Sequence, residues 1–477
     1  MELENAVRDW VEQLIGGIVE NVEHQGRWRP QFFVDVRLPD DSVVPLVLRY
    51  ERDPEYVDLS AFLSRFDVAH EAAVLQALQD TDVKVPHLYG FDEKVRVIAM
   101  ERVNGTNELV EDTDDSKGVL DDFIANLVAL HALTPQSMPA VQTIPTSPEQ
   151  LALDGLFRYM ETDYGLARDL IGPEPLLDFA VWWLHNNIPR GRTEACWVQG
   201  DTGPGQFMHD GSGITALIDW ELSHVGDPIS DLGVMRMRNM LYPVGELANV
   251  FQRYQELSGR TIERSTLCYY TVLAMVLSPL GLSPRIQFPD AAVPSMLPSF
   301  GWDVTLRRGL TDALCEAHGV RVEGPDLPVA TDEGEPARSD LHRYLVDHLA
   351  GNCLPIATDD WDVFLVRGGV AIAQALERER RFGPGLEAAD IADMRQVLGS
   401  TPPSREAGLH ALKEIVDRGP DRKALELLWL FTRMQRRREF IWEPLMLAQK
   451  SEPFEWLYAA ERLVTVGDHG PDPVDRA

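Results

Sequence analysis

A chain of 477 residues exceeds what one hydrophobic core usually organises, so the expectation is two domains. Its composition, 44% hydrophobic and 25% charged, is that of a globular protein, and its formal net charge of -32 argues against a nucleic-acid partner, because phosphate backbones reward Lys and Arg. Cys196, Cys268, Cys315 and Cys353 form no CxxC pair, which suggests neither a zinc site nor a disulfide framework and fits a reducing cytoplasm.

The opening MELENAVRDWVEQLIG reads as an amphipathic helix without the basic start and apolar run of a signal peptide. Residues 29–49 read as two strands: Phe32, Val34, Val36 and Leu38 alternate, PDDS turns the chain, and VVPLVLR ends at Arg49. From Phe66 to Asp80 the period becomes helical, with Val68, Leu75 and Leu78 on one stripe and Glu71 among them. VRVIAMERV (95–103) is extended, and residues 117–189 are mostly helical. A short strand, CWVQ, enters the loop GDTGPGQ; FMHDGSGITALID then reads as a hairpin turned by Asp210-Gly211-Ser212-Gly213.

Helices resume after His224–Pro228 and continue past residue 320. No membrane span is expected there, since the longest apolar candidate, TVLAMVLSPLGL, is broken by Pro279. Pro, Gly and acidic residues dominate 321–339, which sets a linker at 326–339. Residues 340–465 are again helical in pattern, and 466–477 have the composition of a disordered tail.

The residues with chemistry gather between 199 and 231. Gly200-Asp201 follows a strand, Gly203-Pro204-Gly205 forces an irregular backbone, and a second strand delivers Asp219 beside Trp220 and Glu221. Two carboxylates on loops leaving neighbouring strands can converge on one Mg²⁺-assisted reaction, because Mg²⁺ prefers a few oxygen ligands plus substrate phosphates. Read singly, each aspartate is a turn residue; read together, the spacing favours the site.

The run WVQGDTGPGQFMHDGSGITALIDWELSHVGDPISDLG resembles the core of the aminoglycoside-phosphotransferase family, small-molecule relatives of protein kinases. There HGDxxxxN, a hairpin, a strand ending in IDWE and HxGDPxxDL follow in that order. Weaker similarity extends over residues 1–325. The resemblance implies an α+β, bilobal protein-kinase-like fold, with a small β-rich N-lobe (1–103) and a helical C-lobe carrying the catalytic loop (104–325). An extra all-helical C-terminal region (340–465) follows.

Asp201 then matches the catalytic aspartate that orients the acceptor hydroxyl, and Asp219 the metal-binding aspartate. Asp231 matches an aspartate that holds the catalytic loop through backbone hydrogen bonds, with His224 and Asp227 as structural members of the same loop. Gln199 stands where the family has His. Gln206 replaces the metal-binding Asn, keeping the carbonyl ligand but adding a methylene.

Arg49 stands where kinases carry the phosphate-contacting Lys; it is otherwise a strand-end surface residue. Glu71 on a buried stripe needs a partner, and pairing with Arg49 would reproduce the strand-to-helix ion pair of kinases. The nucleotide hinge falls on Met100-Glu101-Arg102-Val103, with Glu101 and Val103 as adenine-contacting positions. Gly26, with Arg27 or Arg29, is the only mark of a phosphate-covering loop.

The expected activity is ATP- or GTP-dependent phosphoryl transfer to a small-molecule hydroxyl, with Mg²⁺ held by Asp219 and Gln206. The GPG and the DWELSHVGDP run look most like the branch associated with acyl-CoA dehydrogenases, which implies a hydroxyacyl-CoA-type acceptor. An aminoglycoside kinase, a catalytically degenerate nucleotide-binding scaffold and a metal-dependent hydrolase are the alternatives. RMQRRREF and ERERRF could meet an acidic tail or the phosphates of a CoA, or form solvated helix faces. The apolar LELLWLF and FIWEPLML imply either a private core or an interface, including a homodimer through the C-terminal helical region.

Overall fold

The computed structural model describes residues 4–25, 30–51, 60–109, 114–139, 144–153, 155–289, 296–329, 341–358, 360–447 and 451–464. These residues form two compact units, one of residues 1–163 with 188–270 and one of residues 164–187 with 271–477. The phosphate-loop candidates Gly26, Arg27 and Arg29, the linker from 330 onward and the tail from 466 lie outside the described residues.

The first unit is built on a five-stranded antiparallel sheet of order β1-β2-β3-β5-β4. Its strands are β1 (Ile18–Gln25), β2 (Gln31–Arg37), β3 (Val43–Tyr50), β4 (Leu88–Asp92) and β5 (Val97–Glu101). Alternation sorts the two faces. Phe32, Val34, Val36, Leu46 and Leu48 meet Val7 and Val11 of the N-terminal helix Asn5–Ile15 in one core. On the opposite face Ile98 packs with Val68 and Ala72 of the helix Val68–Leu78. A helix inserted between the third and fourth strands of an antiparallel sheet is the α+β arrangement of a kinase N-lobe.

Two further strand pairs frame the segment 196–226. β6 (Cys196–Val198) pairs antiparallel with β9 (His224–Gly226), and β7 (Phe207–His209) with β8 (Ile214–Leu217). β1 has no counterpart in the sequence reading. Its run IVENVEHQ buries only Val19, because it is an edge strand with one neighbour, and its polar residues hide the period-two signal.

The second unit is largely helical. Residues 341–464 share one unit with 271–329. The reason is side-chain pairing along helix Met296–Ala317. Arg308 binds Glu439 at 2.8 Å, Asp312 accepts from Arg436 at 2.9 Å, and Glu316 accepts the Leu457 N–H at 2.7 Å.

The basic run 433–440 is internally neutralised. Arg433 and Arg437 bind Asp393, Arg437 also binds Asp390, and Arg438 binds Asp303. These arginines hold helix to helix, which removes them as a phosphate- or tail-binding surface. Leu427, Leu428, Leu430 and Phe431 are buried within the same unit, the private-core reading of LELLWLF.

Among the described residues one helix, Arg264–Gln287, is long and apolar enough to cross a membrane by length and composition, and most of it is buried within the protein. Pro279 does not break it, contrary to expectation. The helix runs through Pro279 and Pro284, and the Ser283 hydroxyl donates to the Pro279 carbonyl at 2.8 Å.

Candidate active site

The β3–β5 register places Arg49 opposite Ile98, on the face covered by helix Val68–Leu78. That helix starts at Asp67, whose carboxylate caps the His70 N–H at 2.8 Å, and it directs Glu71 inward to 1% exposure. Arg49 Nη1 donates to Glu71 Oε1 at 2.9 Å, so the expected strand-to-helix ion pair is present. Arg49 does more than this. Its Nη2 also donates to Asp219 Oδ1 at 2.7 Å and to Glu221 Oε2 at 3.1 Å. Burial alone would lower the pKa of Arg49; Asp219, Glu71 and Glu221 outweigh it and push the value up, so the guanidinium stays charged. Glu221, noted in the sequence only as a neighbour of Asp219, thus shares the same guanidinium.

The loop that begins at Gln199 is held from the helix Pro228–Asn239. In its first turn Asp231, fully buried, accepts the N–H groups of Gln199 and Gly200, each at 2.9 Å. It also pairs with His131 Nε2 at 3.1 Å, and His131 Nδ1 reaches Tyr254 at 2.8 Å. Burial works to raise the Asp231 pKa, but His131, the Thr202 hydroxyl and the Gln199 N–H outweigh it and hold the carboxyl below its ordinary value. Asp227 caps the same helix through the Ile229 N–H at 2.9 Å and takes a bidentate Arg192 at 2.7 and 2.8 Å. His224 donates from Nδ1 to the Leu222 carbonyl at 2.9 Å, and burial lowers its pKa.

Gln199 sits where the family has His, and its amide ties two strand ends together. Nε2 donates to the Ile218 carbonyl at 2.9 Å and to the Gln206 carbonyl at 3.3 Å. Position 199 thus links the loop after Asp201 to the residue preceding Asp219. Asp219 itself is in the left-handed region, φ +62°, which a non-glycine residue adopts seldom and Asp more readily than most.

Asp201 and Asp219 remain accessible, with side-chain exposures of 22% and 28%. Asp201 accepts from the Gln206 amide and from Arg238, whose Nη1 lies 2.8 Å from Oδ1 and 2.9 Å from Oδ2. Burial raises the Asp201 pKa; Arg238 opposes the rise and the neighbouring Asp219 charge adds to it. Arg238 was not visible as a site residue in the sequence, because a helical arginine outside every motif carries no signal of its own.

Met100 and Glu101 end β5, at the position of the expected hinge. Two of its donors are used within the sheet: the Glu101 N–H donates to the His87 carbonyl at 2.8 Å and the Arg102 N–H to Pro45 at 3.1 Å. The Glu101 carboxylate accepts the His87 N–H at 3.1 Å.

Asp219 and Gln206 offer hard oxygen donors. With the Gln206 amide nitrogen on Asp201, its carbonyl oxygen is the donor available to a cation, so the pair fits Mg²⁺. Among the described residues no group of three His, Cys, Asp or Glu side chains is gathered as a metal cage. Mg²⁺ bound largely by nucleotide phosphates does not require one.

The sequence of this site has a family match. Residues 41–266 match the phosphotransferase enzyme family (APH), a span that includes Arg49, Glu71, both aspartates and Asp231. The matched span is a little under half of the chain. The enzyme class is that of a small-molecule kinase.

Among solved structures, the chain is similar to macrolide 2′-phosphotransferase from Brachybacterium faecium, with 21% identity, a TM-score of 0.44 and coverage of 61% of this chain and 96% of that one. It is also similar to a thermostable mutant of an aminoglycoside phosphotransferase solved with AMP-PNP and hygromycin B, with 16% identity, a TM-score of 0.44 and coverage of 64% and 99%. No curated protein matches the chain.

Proposed function

We propose that this phosphotransferase moves the γ-phosphoryl group of ATP to a hydroxyl of a small molecule, with Asp201 as the catalytic residue. The observation that carries the reading is the junction at Arg49, where one guanidinium binds Glu71 of the N-lobe helix and Asp219 of the catalytic segment. Such a junction sets a phosphate-facing cation beside the two carboxylates phosphoryl transfer needs.

Asp201 accepts the acceptor's hydroxyl proton as the acceptor oxygen bonds to the γ-phosphorus. The bond from that phosphorus to the bridging oxygen breaks and ADP leaves. Arg49 orients the phosphates, and Glu71 orients Arg49. Mg²⁺ held by Asp219 and the Gln206 carbonyl would supply charge neutralisation at the β- and γ-phosphates. Gln199, His224, Asp227 and Asp231 keep the loop in place. Most of the rate comes from this positioning and from fixed charge.

The acceptor we favour is a hydroxyacyl-CoA-type metabolite, on the likeness of the GPG and DWELSHVGDP runs to the kinases associated with acyl-CoA dehydrogenases. A hydroxyacyl-CoA thioester and an aminoglycoside competed in one ADP-release assay, with ATP and with GTP as donor, test this. Transfer to the thioester alone supports the reading, and transfer to the aminoglycoside alone removes the acyl-CoA acceptor.

A further inference from the structure

Arg238 projects from the last turn of the helix Pro228–Asn239 and is largely buried. Its donors are nearly all committed. Nη1 binds both oxygens of Asp201, at 2.8 and 2.9 Å, while Nε and Nη2 bind the Pro204 carbonyl at 3.1 and 2.7 Å. Tyr242 lies against the guanidinium, with Arg238 Cζ 5.1 Å from the ring centroid. One planar fork therefore fixes the loop on both sides of Gly203: the carboxylate before it and the carbonyl after it.

The glycines of the loop are shaped to this arginine. A Cβ at Gly205, whose φ is +88°, would meet Arg238 Nη2 at 2.8 Å. At Gly203, φ +142°, it would meet Arg238 Cβ and Cδ at 3.3 Å. Gly-Pro-Gly thus does what three side chains could not: it wraps a backbone carbonyl around a guanidinium already engaged with Asp201.

We propose that Arg238 is the positioning residue of Asp201, fixing which carboxylate oxygen faces the incoming nucleophile. Oδ2 accepts from both Arg238 and Gln206, whereas Oδ1 accepts from Arg238, so Oδ1 is the atom that takes the nucleophile's proton. The inference rests on the phosphotransferase reading above. Arg238 acts through Asp201.

The test uses the full chain with Mg·ATP and water as the nucleophile, following ADP release. R238Q should slow turnover by about tenfold to a hundredfold with KM for Mg·ATP close to native, measured below its melting transition, which the loss of a largely buried ion pair lowers. R238K, which keeps the charge and loses the fork, should fall between the two. G205A should slow turnover with the same unchanged KM. The deciding variant is the double mutant D201N/R238Q. Because one residue acts through the other, it should be no slower than D201N alone.

R238Q at the native rate, a raised KM with unchanged kcat, or losses that multiply in the double mutant would each overturn the inference. So would a native chain that binds Mg·ATP without hydrolysing it, since a poised Asp201 activates water too. Failure of the native chain to bind Mg·ATP would instead overturn the phosphotransferase reading, and the inference with it. Should R238Q not fold, R238K and G205A are measured in its place, and native turnover in both would overturn the inference equally.

Discussion

His70→Gln should flatten the acid limb of this protein's stability. His70 lies on the helix Val68–Leu78, is 4% exposed, and its Nε2 sits 2.7 Å from the Ser223 carbonyl. A carbonyl accepts, so Nε2 carries the hydrogen and Nδ1 is the bare nitrogen of a neutral ring, buried without a hydrogen-bond partner. Protonation would put a second N–H and a charge on a buried ring packed against Phe66. Burial accordingly lowers the His70 pKa to about 4, with the Ser223 hydrogen bond and Asp67 resisting and Arg65 and His224 adding to the fall.

The sign follows from linkage. Below about pH 6.5 the unfolded chain binds a proton at this histidine and the folded chain does not, so stability is full above that pH and drains away as pH falls towards 4. At roughly 1.4 kcal/mol per pH unit, the loss is about 2 kcal/mol at pH 5 and about 3 kcal/mol in all. Glutamine can donate the same hydrogen bond to Ser223 and does not titrate. Urea midpoints at neutral pH and near pH 5 read the difference: the native chain should weaken by about 2 kcal/mol more than His70→Gln on acidification. Equal weakening of the two would refute the reasoning. The functional stake is that Ser223 also donates its hydroxyl to the Val198 carbonyl at 2.8 Å, so His70 ties the N-lobe helix to the catalytic strand.

Two more predictions concern the charges that frame the site. Glu71→Gln leaves Arg49 with Asp219 and Glu221 but removes its most buried anchor. Affinity for Mg·ATP in calorimetric titration should fall about tenfold, a loss of about 1.4 kcal/mol, and turnover with it; unchanged values would leave the pair without a functional role. Asp231→Asn keeps the shape but gives up the charge that the Gln199 and Gly200 N–H groups and His131 share, and should cost about 3 to 5 kcal/mol in urea unfolding. Because its carboxyl is held below the ordinary range, Asp231's contribution is present above the unfolded carboxylate pKa near 4 and vanishes as pH falls further. The native and Asp231→Asn stabilities should therefore converge in strong acid.

The sequence was most legible where local chemistry is dense. Alternation in β2 and β3 exposed the core face, and the stripe bearing Glu71 exposed the need for a partner, which the register of Arg49 against Ile98 supplies. The loop from Gln199 to Asp231 was readable because its residue types are costly anywhere else. What stayed hidden was set by distant packing. β1 is too polar to show a period, being an edge strand. Arg238 looks like any helical arginine until the loop folds over it. Pro279 reads as a breaker, yet a buried helix tolerates it with the Ser283 hydroxyl on its carbonyl. The ion pairs of Arg308 and Asp312 and the Leu457 N–H bond to Glu316 join residues more than a hundred positions apart and are invisible to any short window.

The central claim is that Asp219 and its neighbours form a Mg²⁺-dependent nucleotide site, and melting temperature tests it most directly. The native chain and Asp219→Asn are heated with ATP or GTP, each with and without Mg²⁺; a ligand that binds the folded state raises the transition by mass action. The account predicts a rise with ATP that requires Mg²⁺ and is lost in Asp219→Asn. No rise with either nucleotide, or a Mg²⁺-dependent rise that survives in Asp219→Asn, would contradict it.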